Sequence, residues 1–449
     1  MPTRRDDIEK WSMGYHLLKM YGSSLFHIYF PKEVVGLDKI DFNDILIFAP
    51  NHQNALIDAL AVLYTKNWQP VFLARADIFK KPLLDKFLTF LKIMPVYRIR
   101  DGYSNLQLND AIFQKTLDIL KNKNCLVILP EGNHDGHRRL RQLKKGIARI
   151  AFQAEEATGN TMNIKIVPVG LEYTHYYKFG SPMLIRFGEP ICVSQYYNRY
   201  KENPAVANNE LMEELASKMK EQMLHIGSEE HYQAYETIRT SFAPIMVAQK
   251  ALKNSLNNQF LAAKALISEL DNLAATNSAK FNEVIASANR YAQITERLGF
   301  NPNLSTSSLH KALGLLLRIP ALASTLSVFI FGFANNILPL SAVAAVSSKI
   351  KDPQFVSSVR YGLGIFAFPI LHGLQAIAFR AITGNALWAL CYLASLPISA
   401  LLMHVWRKQA IYAWRNAKLL AFKLSKPKQH EQMIKEWENI KQFTSNIKW

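Results

Sequence analysis

The sequence predicts an α/β domain followed by a helical region and C-terminal membrane helices, and three observations carry that expectation. Between residues 31 and 200, short apolar runs alternate with polar, helix-periodic stretches, the pattern of a sheet covered by helices. Residues 208–224 and 249–298 are rich in Ala and Leu and contain neither Gly nor Pro, which predicts long helices. From Ile319 onward three long runs carry no charge, and an apolar run of roughly 18 residues or more can cross a bilayer as a helix.

The strand candidates are ILIFAP (45–50), PVFLAR (70–75), MPVYRI (94–99), CLVILP (125–130), IKIVPVGLEY (164–173) and MLIRFGEP (183–190). Each is short, rich in Val, Ile or Phe, and bounded by Pro, Gly or polar residues. Segments 105–123 and 143–157 read as the helices between them. Ahead of the sheet, residues 6–30 place Trp11, Tyr15, Leu17, Tyr21, Phe26 and Phe30 at helical spacing. Two readings are open there, an interfacial helix and a helix packed on the following domain.

The charge-free runs are 319–346, 361–379 and 381–403. Asn335, Asn336 and Pro339 fall near the middle of the first, which suggests a helical hairpin entering and leaving one membrane face. Such a hairpin would keep the two basic segments, 75–149 and 404–449, on the cytoplasmic side, as the positive-inside rule asks. The expected division is 1–30 an N-terminal amphipathic helix, 31–203 the α/β domain, 204–310 the helical region, 311–406 the membrane-embedded segments and 407–449 a basic tail.

A chain of 449 residues can bury a large core without disulfide or metal staples. The half-apolar composition excludes a disordered chain. Cys125, Cys192 and Cys391 are far apart and form no CxxC pair, which argues against a zinc site or a disulfide framework. The N-terminus lacks the apolar core and cleavage site of a secretory signal, so the α/β domain is expected in the cytoplasm. The net charge of +18 points to nucleic acid, an anionic membrane surface or simply a basic protein. No helix-turn-helix, RNP-like motif or continuous basic helix supports nucleic acid. P-loop, GxGxxG, GxSxG and HExxH signatures are absent from the sequence.

Three clusters at strand ends could do chemistry. Asn51 and His52 follow the first strand, with Asp58 six positions after His52. Six positions is about 600° of helical rotation, so the two cannot share one helix face. They can meet if His52 lies in a loop and Asp58 in the first turns of the helix behind it. A carboxylate would then hold one imidazole nitrogen and leave the other as a general base; a helix-capping loop beside an unrelated aspartate remains the other reading. In PVYRIRDG, Arg98 and Arg100 alternate along a strand end and point to one face, suited to a phosphate or to solvent. In LPEGNHDGHRRLRQLKKG, Glu131 and Gly132 sit in a tight loop, Glu131 reads as an exposed acid, and Arg138, Arg139, Arg141, Lys144 and Lys145 lead into a helix near Gly146. A strand-to-helix loop this basic is a natural anion site.

In this order, NHQNALID, PVYRIRDG, PEGNHDGHRRLRQLKKG and IVPVGLEY resemble the four blocks of the PlsC-type glycerolipid acyltransferase family, over about residues 35–190. Two positions depart from the family pattern. Five residues rather than four separate His52 from Asp58, and Asn133 replaces the usual Ser or Thr after Pro-Glu-Gly. A long branch resembling glycerol-phosphate or dihydroxyacetone-phosphate acyltransferases carries five, and also has C-terminal hydrophobic segments. The resemblance implies a glycerol-3-phosphate acyltransferase-like mixed sheet flanked by helices. It implies His52 as the base that deprotonates an acceptor hydroxyl, with Asp58 orienting it. It implies Arg98, Arg100 and Lys145 on the acceptor phosphate, and Glu131 and Gly132 near the glycerol. The implied partners are acyl-CoA or acyl carrier protein as donor, a glycerol phosphate or lysophospholipid as acceptor, and a phospholipid membrane, with no metal or prosthetic group. A non-enzymatic membrane scaffold with a degenerate acyltransferase domain is the competing reading.

Overall fold

The computed structural model describes residues 5–96, 108–302, 304 and 307–449. The chain divides into two compact units, one of Met1–His225 with Ile350–Tyr361, the other of Ile226–Lys349 with Gly362–Trp449.

The first unit is built on a mixed sheet. Among the described residues its strands are β1 (Lys32–Val35), β2 (Leu46–Pro50), β3 (Val71–Arg75), β4 (Ile93–Val96), β5 (Leu126–Ile128), β6 (Lys165–Tyr173), β7 (Met183–Phe187) and β8 (Ile191–Cys192). The order is β1-β7-β6-β2-β5-β3-β4, with β8 also paired to β6. Pairings around β2, β5, β3 and β4 are parallel, whereas β6 runs antiparallel to β7 and β8. Central parallel strands are covered on both faces and read as unbroken apolar runs. Accordingly every residue of β2 and all but the first of β6 are buried. β1 and β8 were not legible because KEVV and IC are too short to show a period.

Helices α1 (Met13–Tyr29), α2 (Ala55–Leu63), α3 (Pro82–Phe90), α4 (Leu108–Lys121), α5 (Gly146–Ala157), α6 (Tyr197–Glu202) and α7 (Pro204–Gln222) flank the sheet. Helix α1 packs on the unit with one face and leaves apolar side chains exposed on the other. Tyr15, Gly22, Phe26 and Tyr29 are buried against the unit, and Lys19 donates to the Lys66 carbonyl at 2.7 Å. Met13, Leu17 and Met20, with Trp11 just ahead of the helix, are exposed. Phe90 of α3 meets Tyr15 edge-on at 6.2 Å, and α3 likewise exposes Leu83 and Phe87.

The α/β unit extends past the boundary expected at residue 203. Asn203 caps α7 by accepting from the N–H groups of Ala205 and Val206, and Pro204 opens the helix. α7 then closes on β6 so tightly that a Cβ on Gly170 would lie 1.9 Å from the Gln222 carbonyl oxygen.

The second unit contains α8 (Tyr232–Gln249), α9 (Leu256–Thr276), α10 (Ser278–Leu298), α11 (Ser308–Ser324), α12 (Leu326–Ser347), α14 (Ala386–Ser425) and α15 (Pro427–Ser445). Helix α13 (Pro353–Thr383) begins in the first unit and continues into the second. Helices α12, α13 and α14 are long and apolar enough to cross a membrane.

The hairpin expected at Asn335–Pro339 does not form; α12 runs through it without a break. Asn336 donates to the Gly332 carbonyl at 2.8 Å and to the Ser399 hydroxyl of α14 at 3.0 Å. Proline at 339 removes the N–H that would serve the Asn335 carbonyl, and Gln375 of α13 donates to that carbonyl at 2.9 Å. Neighbouring helices thus satisfy the groups a kink would have freed. Within the basic segment 407–449, α14 continues to Ser425 and α15 packs on α10, where Arg290 bonds Glu436 at 2.7 Å.

Gly170→Ala is expected to destabilise the first unit by about 1–3 kcal/mol or more, since the new methyl meets backbone rather than a side chain that can swing away. Thermal unfolding of the purified variant measures this.

Candidate active site

The site lies where β2, β5 and β6 end. β2 runs out at Pro50, and the chain turns through Asn51–Asn54 into α2. Buried polar side chains fix this turn. Asn51 accepts from Leu171 N–H at 2.6 Å, Gln53 donates to the His137 carbonyl at 3.1 Å, and Asn54 donates to the Tyr176 carbonyl at 2.8 Å. Ala55 takes a left-handed φ of 43°, a costly conformation for a residue with a Cβ. That turn brings Asp58, in the first turn of α2, back onto the loop.

His52 Nδ1 lies 2.9 Å from Asp58 Oδ2. The same oxygen accepts from the N–H groups of Gln53 at 2.7 Å and Asn54 at 2.6 Å, and Oδ1 accepts from the Tyr173 hydroxyl at 2.6 Å. Asp58 is fully buried, while the His52 side chain is 17% exposed. An oxygen already receiving two N–H groups acts as an acceptor, so Nδ1 is the ring nitrogen that carries the hydrogen toward Asp58. Burial, with the Asp58 carboxylate beside it, holds the Tyr173 hydroxyl well above its ordinary pKa, so it stays a donor.

The loop after β5 packs against the first. Gly132 has φ of 67°, a left-handed conformation that glycine adopts without the cost a Cβ would add. Glu131 was read as an exposed acid; it is buried. Its carboxylate accepts from His52 N–H at 2.8 Å and Arg141 N–H at 3.2 Å, which ties the two loops together. A carboxylate drawn inward to two backbone donors is a strap and not a surface acceptor for a hydroxyl. Desolvation pushes its pKa up to about 7 against those bonds. Lys145 is exposed at the start of α5. With Arg141 and Lys220 it lines a cleft of about 350 Å³ whose apolar side includes Leu140 and Met212. Arg98 and Arg100 lie outside the described residues. Among the described residues no group of His, Cys, Asp and Glu is arranged to hold a metal.

Comparison with known proteins finds relatives for this part of the chain. Residues 32–172 match the family model described as Acyltransferase. Over 112 residues, a quarter of the chain, the sequence is 35% identical to glycerol-3-phosphate O-acyltransferase 2 of Saccharomyces cerevisiae. These residues form a PlsC-type acyltransferase domain. A second yeast relative, glycerol-3-phosphate O-acyltransferase 1, is 29% identical over 134 residues, 29% of the chain. The matched region spans only 15% and 17% of the length of these two relatives. The solved structure of the 1-acyl-sn-glycerophosphate acyltransferase PlsC from Thermotoga maritima aligns with a TM-score of 0.33 and 18% identity, covering 46% of this chain and 79% of that one.

Within the acyltransferase domain the five-residue spacing is accommodated by the turn at Ala55, which returns Asp58 to His52. Sequence reasoning missed the residues that hold this pair: Tyr173, Gln53, Asn54 and Glu131 as a strap. Tyr173 does close the fourth block, IVPVGLEY, and polar side chains at Glu172 and Tyr173 ending an otherwise apolar strand were the available signal.

An acid whose pKa rises on folding binds protons more tightly when folded. Its contribution is therefore fully present below about pH 4.5 and is lost as pH climbs through about 7. Glu131→Gln, whose amide nitrogen cannot accept the second N–H, is expected to be less stable than the wild type at pH 5 and to flatten the decline between pH 5 and 8, by roughly 3 kcal/mol at about 1.4 kcal/mol per unit. Denaturant unfolding at the two pH values checks it.

Proposed function

We propose that this chain is a membrane-bound O-acyltransferase of phospholipid synthesis that uses His52 as general base. The observation that carries this reading is the His52–Asp58 pair, with a fully buried carboxylate, at the strand ends of a PlsC-type domain. The relatives named as glycerol-3-phosphate O-acyltransferases favour glycerol 3-phosphate as acceptor over a lysophospholipid. The donor is a fatty acyl thioester, acyl-CoA or acyl-acyl carrier protein.

In the proposed reaction Nε2 of His52 takes the proton of the acceptor hydroxyl as its oxygen attacks the thioester carbonyl. The tetrahedral oxyanion collapses, the carbon–sulfur bond breaks, and the departing thiolate takes the proton back from the imidazolium. The ester and the free thiol leave. Asp58 keeps the imidazole in the tautomer that can accept at Nε2 and stabilises the imidazolium that follows. Arg98, Arg100 and Lys145 are proposed to hold the acceptor phosphate, with Arg141 beside Lys145 in the same cleft. Gly132 shapes the loop beneath the acceptor, and the reaction needs no metal or prosthetic group.

Membrane attachment is supported by α12, α13 and α14, and by the exposed apolar faces of α1 and α3. The basic excess of segment 75–149 favours the cytoplasmic face for the catalytic domain.

The test is full-length protein in lipid nanodiscs, given labelled glycerol 3-phosphate or lysophosphatidate with either donor. Acyl transfer to glycerol 3-phosphate is expected. His52→Ala should lower kcat by about 10²–10⁴-fold in a folded sample. Full activity of that variant overturns the mechanism.

A further inference from the structure

A second His–Asp pair stands directly behind the first. The ring of His134, in the loop after β5, meets the His52 ring edge to face, with centroids 5.4 Å apart and planes at 85°. His134 Nε2 is 3.0 Å from Asp352 Oδ2, and Phe355 packs on the His134 ring at 4.8 Å and 90°. The three groups clamp the His134 ring: one ion-pairing oxygen, one aromatic neighbour and the His52 ring itself.

Asp352 and Phe355 come from far along the chain, 218 and 221 positions after His134. They belong to residues 350–361, which are part of the α/β unit. Several anchors hold this segment. Gln354 N–H donates to Asp352 Oδ1 at 3.0 Å, presetting the carboxylate. The Ser357 hydroxyl donates to the Tyr176 carbonyl at 2.8 Å, the same carbonyl that receives Asn54 from the His52 loop. The Tyr361 hydroxyl donates to the Gly22 carbonyl of α1 at 2.6 Å. Pro353 also opens α13, a helix apolar enough to span a membrane.

We propose that His134 is a positioning residue for acyl transfer, set by Asp352 and Phe355 at the head of α13, and that it holds the His52 ring at the angle the reaction needs. The inference rests on the reading of His52 as the base. Its physical basis is that Asp58 fixes His52 at one ring nitrogen only, which leaves rotation about that hydrogen bond to be limited by what packs on the ring. A displacement of the reacting nitrogen by about 1 Å costs on the order of 10²-fold in rate. The first residues of a helix built for the membrane would thus be a working part of the catalytic wall.

The experiment uses the full-length protein in nanodiscs with glycerol 3-phosphate and acyl-CoA. His134→Ala and Asp352→Ala should each lower kcat by about 10–100-fold and leave KM for the acceptor within about twofold. The double variant should lose no more than the worse single one, because both changes release the same ring. Asp352→Asn, which keeps an oxygen to accept from His134, should recover most of the Asp352→Ala loss. A second readout needs no turnover: the rate at which diethylpyrocarbonate modifies His52, followed by mass spectrometry, should rise at least threefold in both alanine variants. Losses that multiply in the double variant, kcat within twofold of wild type in either single one, or an unchanged modification rate overturns the proposal. An active His52→Ala defeats the base reading instead, so the two failures are told apart.

Discussion

A carboxylate taken out of water is costly unless its lone pairs are filled, and the architecture of the first unit turns on how Asp58 meets that demand. Its four partners come from two places: His52 and two backbone N–H groups from the loop after β2, and Tyr173 from the end of β6. Removing any one would leave a buried group unsatisfied, at a typical cost of about 1–3 kcal/mol. That cost keeps the loop, the helix and the strand in register. The same bonds fix the tautomer of His52, so stability and chemistry rest on one carboxylate.

The sheet topology explains why these partners can converge. β2 lies between β5 and β6 and is parallel to both, so all three carry their C-terminal ends to one edge. Each then contributes a loop or terminal residue: Asn51–Asn54, Glu131–Gly132 and Tyr173. Glu131 links the first two of these by bonding the His52 and Arg141 N–H groups. Its desolvation is tolerated because the carboxyl takes up a proton near neutral pH. The basic residues that follow, Arg141 and Lys145, stay at the cleft. Positive charge at that cleft favours anionic ligands.

The apolar helices show the same demand in another form. Polar side chains such as Asn336 and Gln375 find partners on neighbouring helices. This is why Asn335, Asn336 and Pro339, which look like breakers in one dimension, sit inside a continuous helix. The groups that a single sequence leaves orphaned are completed by residues dozens of positions away.

What the sequence determined by itself was whatever local pattern and composition encode. Long Val/Ile/Phe runs specified β2, β3, β5 and β6, charge-free stretches marked the helices apolar enough to span a membrane, and ordered motif blocks pointed to the acyltransferase domain. The spacing of His52 and Asp58 also stated the one condition under which they could meet. Tertiary structure decided the rest. Glu131 became a buried strap, and α7 joined the α/β unit. His134 acquired a partner in Asp352, and residues 350–361 returned to the first unit. Each of these depends on a contact between segments remote in sequence. A one-dimensional pattern reports what a residue tends to do, whereas burial and partnership are set only when the chain closes on itself.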